Sequence, residues 1–247
     1  MSALKIHPLS WDTDFFGCSC AKAVIESEMA EADLEQLLSA SEQYAFLTIV
    51  NVSNLPWNNR IIGSETKAYL ADINLQFEKK LTSMTDRDVG HLHCEIAAGQ
   101  PRDERLLDMT QRTYCYSRFY TDRKLKERKG DQMHIQWLEN AFEKPDQYFL
   151  IGKDKLEAVG YILFSMNFET KSARIELLAV SRNYRRQEIG RKMMKMLEGF
   201  LTENGIESVF VGTQLDNTPA VNFYHKCGFS EKSLSSIYHL WHGEEQQ

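Results

Sequence analysis

The segment from Ile175 to Leu201 constrains this chain more than any other. An apolar run, Ile175 to Val180, has the character of a strand. The short basic turn Tyr184-Arg185-Arg186-Gln187-Glu188-Ile189-Gly190-Arg191 follows. An amphipathic helix opens out of that turn, with Met193, Met194, Leu197, Phe200 and Leu201 at helical spacing. A strand, a basic turn and a helix start make an anion site. The unpaired N–H groups of the first helical turn converge on one spot, and the helix dipole favours negative charge there. Arg185, Arg186 and Arg191 add positive charge around it. The ligand suited to such a site is a phosphate or a pyrophosphate.

The surrounding elements alternate in the manner of an α/β sheet with helices on both faces. Two blocks are expected, 1–85 and 86–247, divided by the polar stretch Lys79 to Gly90 with Asp86, Arg87 and Asp88. The first reads as strand, strand, helix, strand, helix, strand. It has a helix over Glu28 to Gln43, a strand over Tyr44 to Val50, and a strand over Ala68 to Phe77 whose odd-numbered residues Tyr69 to Phe77 share a face. The second begins with a strand near His91 to Ala97 and helices over Arg102 to Tyr114 and Gln132 to Phe142. Strands follow at Tyr148 to Gly152, Ala158 to Met166 and Ala173 to Val180. After the Met-rich helix come a strand at Ser208 to Thr213, a helix at Thr218 to Lys226 and a strand around Ser236 to Trp241.

Bulk properties narrow the classes. A net charge of -6 argues against a nucleic-acid binder, which needs a basic face. No apolar run approaches the roughly 20 residues of a membrane helix, and the N-terminal residues lack the pattern of a signal peptide. Five scattered cysteines suit a reducing cytoplasm better than a disulfide framework. Cys18-x-Cys20 has no second ligand pair at metal-binding spacing, so no metal is expected.

Three patches carry a family resemblance: Leu178-Ala179-Val180, the basic turn, and Asn217-x-x-Ala220-x-x-x-Tyr224-x-x-x-Gly228-Phe229. In this order and spacing, residues 91–247 resemble the GNAT superfamily of acyl-CoA-dependent N-acyltransferases. The resemblance implies the GNAT fold, here with an N-terminal α/β extension that reads as a degenerate half-copy of it. It also implies acetyl-CoA as co-substrate. Arg185, Arg186, Gln187, Glu188, Ile189, Gly190 and Arg191 would hold the CoA pyrophosphate. Leu178, Ala179 and Val180 would offer main-chain bonds to the pantetheine arm, and Asn217 and Asn222 would meet its amides. Asn217 serves equally as a helix N-cap with Pro219 in the first turn. Glu188 departs from the family pattern, because it stands where a glycine is usual. A carboxylate beside a pyrophosphate is unfavourable unless its side chain turns to solvent.

The same resemblance makes Tyr224 the acid that protonates the departing thiolate. A thiol of pKa about 8.5 and a phenol of about 10 are close enough for that exchange. Packing beside Phe223 is the alternative. Glu176 is the candidate base, placed by period two on the face of Leu178 and Val180; a salt bridge to Arg174 is its alternative. His225 is expected to face elsewhere. Arg118, Phe119 and Tyr120 lie in the region that lines the acceptor pocket in this family. Arg118 suits bidentate pairing with a nucleotide pyrophosphate, and the basic residues from Arg123 to Lys129 suit a solvated loop.

A narrower likeness rests on Trp11-Asp12-x-x-Phe15-Phe16-Gly17, Ser117-Arg118-Phe119 and Gln136-Trp137-Leu138-Glu139-Asn140-Ala141. These resemble the GNAT acetyltransferases acting on the 4-amino group of a dTDP-linked 4-amino-4,6-dideoxygalactose. The expected partner is then a small nucleotide-sugar substrate, with a homodimer as the default assembly. The aromatics of Trp11 to Gly17 either anchor the N-terminal block or help form the acceptor pocket. Two further readings stay open: acetylation of a protein N-terminus or another small amine, and a non-catalytic acyl-CoA-binding module.

Overall fold

A computed structural model describes residues 2–82 and 92–243. Asp86, Arg87 and Asp88 of the expected linker, the block boundary and His91 lie outside the described residues. The first block contains β1 (Leu4–Pro8), α1 (Ser10–Phe16), β2 (Cys20–Ile25), α2 (Glu31–Gln43), β3 (Phe46–Val52), α3 (Pro56–Glu65) and β4 (Tyr69–Lys80). The second begins with β5 (His93–Ala98), α4 (Glu104–Gln111), α5 (Arg118–Thr121), α6 (Arg123–Glu127) and α7 (Met133–Ala141). It continues through β6 (Tyr148–Asp154), β7 (Glu157–Asn167), β8 (Ser172–Val180), α8 (Ile189–Glu203), β9 (Ser208–Gln214), α9 (Thr218–Lys226) and β10 (Ser230–Trp241).

Among the described residues, ten strands form one mixed sheet in the order β1-β2-β3-β10-β4-β9-β8-β7-β6-β5. β2 runs parallel to β3 and β8 to β9; the other neighbours are antiparallel. β4 therefore lies between β9 and β10, while β10 lies between β4 and β3. Each block's last strand is inserted beside the other block's strands.

Helices cover both faces. Met193, Met194, Leu197 and Leu201 of α8 pack with Leu75, Phe77, Leu150, Ile162, Phe164 and Ile175. On the opposite face, Leu106 and Leu107 of α4 and Leu138 of α7 pack with Phe149, Ile151, Tyr161, Leu163 and Leu177. β6 feeds both cores by alternation, as period two requires.

Several expectations need correction. Trp11 to Phe16 forms most of a short helix, α1, that closes on Gly17 in the left-handed region at φ +66°. β10 begins at Ser230, earlier than its apolar run, because Ser230 to Ser236 pair with β4 despite their polarity. Alternation in β4 is broken by a bulge at Ala71: Ile237 faces Asp72, but Tyr238 faces Leu70. Leu75 and Phe77 are buried as expected, whereas Tyr69 is exposed and Asp72 is buried.

Candidate active site

β8 and β9 are paired only as far as Ile175 and Val211, although they run on to Val180 and Gln214. Beyond that pair the sheet opens. Tyr114 Oη donates to the Leu178 carbonyl at 3.1 Å, and Arg185 Nε donates to the Val180 carbonyl at 3.0 Å. Arg185 Nη2 also reaches Thr113 Oγ1 at 3.4 Å. This guanidinium spans the gap between α4 and the end of β8, beside a cleft of about 730 Å³ lined by Arg112, Thr113, Val180 and Arg182.

The turn into α8 is left-handed at Arg186 (φ +60°) and at Glu188 (φ +62°). Glycine is favoured there because a Cβ crowds the backbone in this conformation. Glu188 tolerates it, and its 60% exposed side chain pairs with Arg191 Nη1 at 2.6 Å. Its carboxylate is thus partly neutralised. Ile189 is buried, and no side chain caps the first N–H groups of α8. Gln187 bonds the Asn183 carbonyl at 2.9 Å. Gly190 allows α8 to approach α9, since a Cβ there would stand 3.0 Å from Phe223 Cε2. These residues fit an anionic diphosphate: free helix N–H groups lie beside exposed Arg185, Arg186 and Arg191.

Tyr224 is buried among Phe77, Phe223 and Phe229, with ring centroids 5.4 to 5.7 Å away. Burial pushes its phenol well above the ordinary value: it is protonated at neutral pH, as an acid must be, but it gives up that proton to a thiolate less readily than a free phenol would. Phe223 also contacts the core but is less buried than Tyr224. Asn217 caps α9 by accepting from Ala220 N, and its amide reaches Thr213 Oγ1 at 3.3 Å. Asn222 is exposed. His225 points to Glu231 at 3.2 Å, away from the opening in the sheet.

Glu176 differs from its expected setting. A bulge leaves it without a partner on β7, since Leu163 faces Leu177 and Phe164 faces Ile175. The bulge breaks period two, so Leu178 and Val180 pack with the α8 core while Glu176 accepts from Ser165 Oγ at 3.0 Å. Phe164 belongs to the α8 core, which turns its neighbour Ser165 to the other face. The carboxylate is exposed and carries no burial cost. Arg174 bonds Gln76 Oε1 at 3.2 Å. Glu176 is also the first β8 residue past the last β8–β9 pair.

On that other face, Phe119 is buried against Phe16 and Trp137, and the Arg118 guanidinium lies 4.1 Å from the Phe119 ring centroid. Tyr120 is exposed, with the Lys126 ammonium 4.6 Å from its ring centroid. The basic run is only partly a solvated loop. It contains α6, and Lys124 and Arg128 lie over Trp241. Phe16 is buried in the same cluster as Phe119, so the N-terminal aromatics do pack, while Trp11 stays 39% exposed.

Sequence reasoning missed a buried polar group beside Arg118. Asp122 Oδ2 accepts from Tyr69 Oη at 2.5 Å, His239 Nδ1 at 2.6 Å and Trp241 Nε1 at 3.3 Å, while Oδ1 caps α6. Burial disfavours its charge, but the bonds from His239 and Tyr69 outweigh that and pull its pKa down to about 2. Asp72, buried on β4, is pushed up to about 6 by burial, against the pull of Arg118 and with a further push from Asp216. The sequence signals are two polar residues inside strands, His239 in β10 and Asp72 in β4.

The acetyltransferase (GNAT) family profile matches residues 109–229. The spore coat polysaccharide biosynthesis protein SpsD of Bacillus subtilis is 23% identical over 152 residues, covering 61% of this chain and 52% of that protein. The probable N-acetyltransferase HLS1 of Arabidopsis thaliana is 45% identical over 69 residues, covering 28% of this chain and 17% of that protein. The chain thus spans about half the length of the first curated relative and less of the second. Among solved structures, a GCN5-related N-acetyltransferase from Sphaerobacter thermophilus superposes with a TM-score of 0.63 at 12% identity, over 99% of this chain and 79% of that one. The described residues carry the GNAT fold, and residues 109–229 match the GNAT acetyltransferase family.

Proposed function

We propose that the protein transfers the acetyl group of acetyl-CoA to the 4-amino group of a dTDP-linked 4-amino-4,6-dideoxyhexose. The observation that carries the reading is the parting of β8 from β9 between the uncapped start of α8 and the buried Tyr224. A diphosphate at α8 leaves the opened strands to hold the arm that bears the thioester. Acetyl-CoA supplies the activated acyl group. The amine nitrogen attacks the thioester carbonyl carbon, the C–N bond forms, and the C–S bond breaks. Glu176, at the mouth of the opening, takes the proton the amine loses, directly or through water. The Tyr224 hydroxyl gives its proton to the departing sulfur and is reprotonated from solvent. Each proton transfer of this kind contributes roughly 10²- to 10⁴-fold.

The substrate reading draws support from the aromatic and Arg118 patches and from the likeness to a Bacillus subtilis protein of spore coat polysaccharide biosynthesis. A small-molecule substrate in the cytoplasm is part of the same proposal. So is the idea that the first 85 residues are a reduced copy of the fold. β2, α2 and parallel β3 repeat the arrangement of β8, α8 and β9. An Asn-x-Pro sequence stands at the start of both α3 (Asn54 to Pro56) and α9 (Asn217 to Pro219), although only Asn217 caps its helix. The connection Glu26 to Ala30 has two carboxylates and no arginine, so this copy would not hold a diphosphate.

Thiol release from acetyl-CoA tests the activity, with dTDP-4-amino-4,6-dideoxygalactose, polyamines and N-terminal peptides as acceptors. Release with the nucleotide sugar alone is expected. Release with peptides alone redirects the substrate, and acetyl-CoA binding with no turnover leaves only a binding module.

A further inference from the structure

Among the described residues, three buried side-chain atoms have no hydrogen-bond partner: Asp72 Oδ2, Arg118 Nε and His239 Nε2. They lie in one neighbourhood: Asp72 faces Ile237 on β10, two residues before His239, and His239 Nδ1 bonds Asp122, which closes the short helix that begins at Arg118. His239 is fully buried and Asp72 is 9% exposed. An unsatisfied buried polar group is destabilising, and three together are a costly arrangement for a protein with no use for them. The protonation pattern follows from Asp122. That carboxylate is ionised and accepts from His239 Nδ1, so Nδ1 carries the hydrogen and Nε2 presents a bare lone pair. The group therefore offers two acceptors, on Asp72 and His239, beside one donor on Arg118.

Aromatic rings stand around it. Trp11, Tyr69 and Trp137 are 39%, 39% and 40% exposed. Trp11 stacks on Phe15, Phe15 meets Phe16, Phe16 stacks on Phe119, and Phe119 meets Trp137 edge-on. Asp12 and Asp72 already balance Arg118, which disfavours the diphosphate pairing expected of that arginine. A flat, uncharged polar ring suits the site better.

Position narrows the ligand further. β9 separates β4 from β8, so Asp72 stands at least about 10 Å from Glu176. A hexose with its amine at Glu176 does not reach that far. We propose that Asp72, Arg118 and His239 bind the pyrimidine-dione nucleoside end of the acceptor. Its ring N–H and sugar hydroxyl donate to Asp72 and His239, and a ring carbonyl accepts from Arg118. This assignment rests on the nucleotide-sugar reading above.

Calorimetric titration with dTDP alone, in the presence of CoA, tests it. Wild-type protein is expected to bind dTDP, with Asp72→Asn and His239→Gln each weakening it at least about tenfold. Acetyl-CoA affinity should be unchanged in both variants, which shows that they fold. Wild-type dTDP binding unaltered by either substitution overturns the assignment. So does a wild-type protein that binds acetyl-CoA and acetylates an amine yet does not bind dTDP; the transferase reading then stands without it. A wild-type protein that binds no acetyl-CoA removes both.

Discussion

Glu188 and Arg191 form an ion pair at 2.6 Å across the first turn of α8, with Glu188 held at φ +62°. The pair places a carboxylate beside the proposed diphosphate site and takes up one of its arginines. Glu188→Gly suits the left-handed backbone and frees Arg191. The KM for acetyl-CoA should fall about fivefold, the equivalent of the ~1 kcal/mol of an exposed charge pair. Steady-state kinetics at low and high salt measure this, and an unchanged KM at low salt removes the idea.

Tyr224→Phe keeps the ring among Phe77, Phe223 and Phe229 and deletes only the hydroxyl. Turnover should drop by about 10²-fold or more while acetyl-CoA affinity holds, the signature of a group acting in the transition state. A drop of less than about tenfold in single-turnover experiments would assign the acid elsewhere.

His134 lies face to face with Tyr114, ring centroids 4.4 Å apart, and is buried. Burial, reinforced by the Arg118 charge, pushes its pKa down to about 3. In the unfolded chain the ring titrates near 6.5, so the unfolded state binds the proton more readily. The contribution of this ring is intact above about pH 6.5 and is lost progressively as pH falls towards 3. At pH 5 the loss amounts to about 2 kcal/mol. His239, also lowered mainly by burial, acts in the same direction. Urea unfolding of wild type and His134→Phe at about pH 7.5 and pH 5 should show the acid-induced loss shrinking by about 2 kcal/mol in the variant. Equal losses would mean that the ring is accessible to protons in the folded state.

Gly130 sits where α5 and α6 fold back on each other. A Cβ there would collide with the Phe119 carbonyl and stand 2.8 Å from the Leu125 carbonyl. Both neighbours are backbone, so relief requires moving the segment that carries Arg118. Gly130→Ala should lower stability by about 1–3 kcal/mol and raise the acceptor KM, with acetyl-CoA affinity preserved. Thermal unfolding combined with both titrations checks this; a loss of acetyl-CoA affinity would indicate general disruption instead.

The two sides of the site differ in how far they can be read from sequence. Leu178 to Arg191 and Asn217 to Phe229 are contiguous strand–turn–helix units, whose periodicity and capping are local. The polar group at Asp72 and His239 draws on β4, β10, α5 and α6, with Asp122 lying 117 residues from His239. No local pattern encodes that meeting. Two bulges add to the difficulty, because the extra residues at Ala71 and Glu176 break the alternation that sequence reading depends on. Asp72 thereby enters the interior, and Glu176 leaves the face assigned to it. Glu188 was recognisable as out of place. Its accommodation through Arg191 follows from the helical spacing of three residues.

The placement of β4 and β10 has a consequence for how the chain is made. Thr48 pairs with His239, so β3 lacks its neighbour on that side until β10 has left the ribosome. The emerging N-terminal block must keep the open edge of β3 from pairing with other chains throughout synthesis. Loss of β10 (Ser230–Trp241) would therefore strip a central strand from both blocks at once.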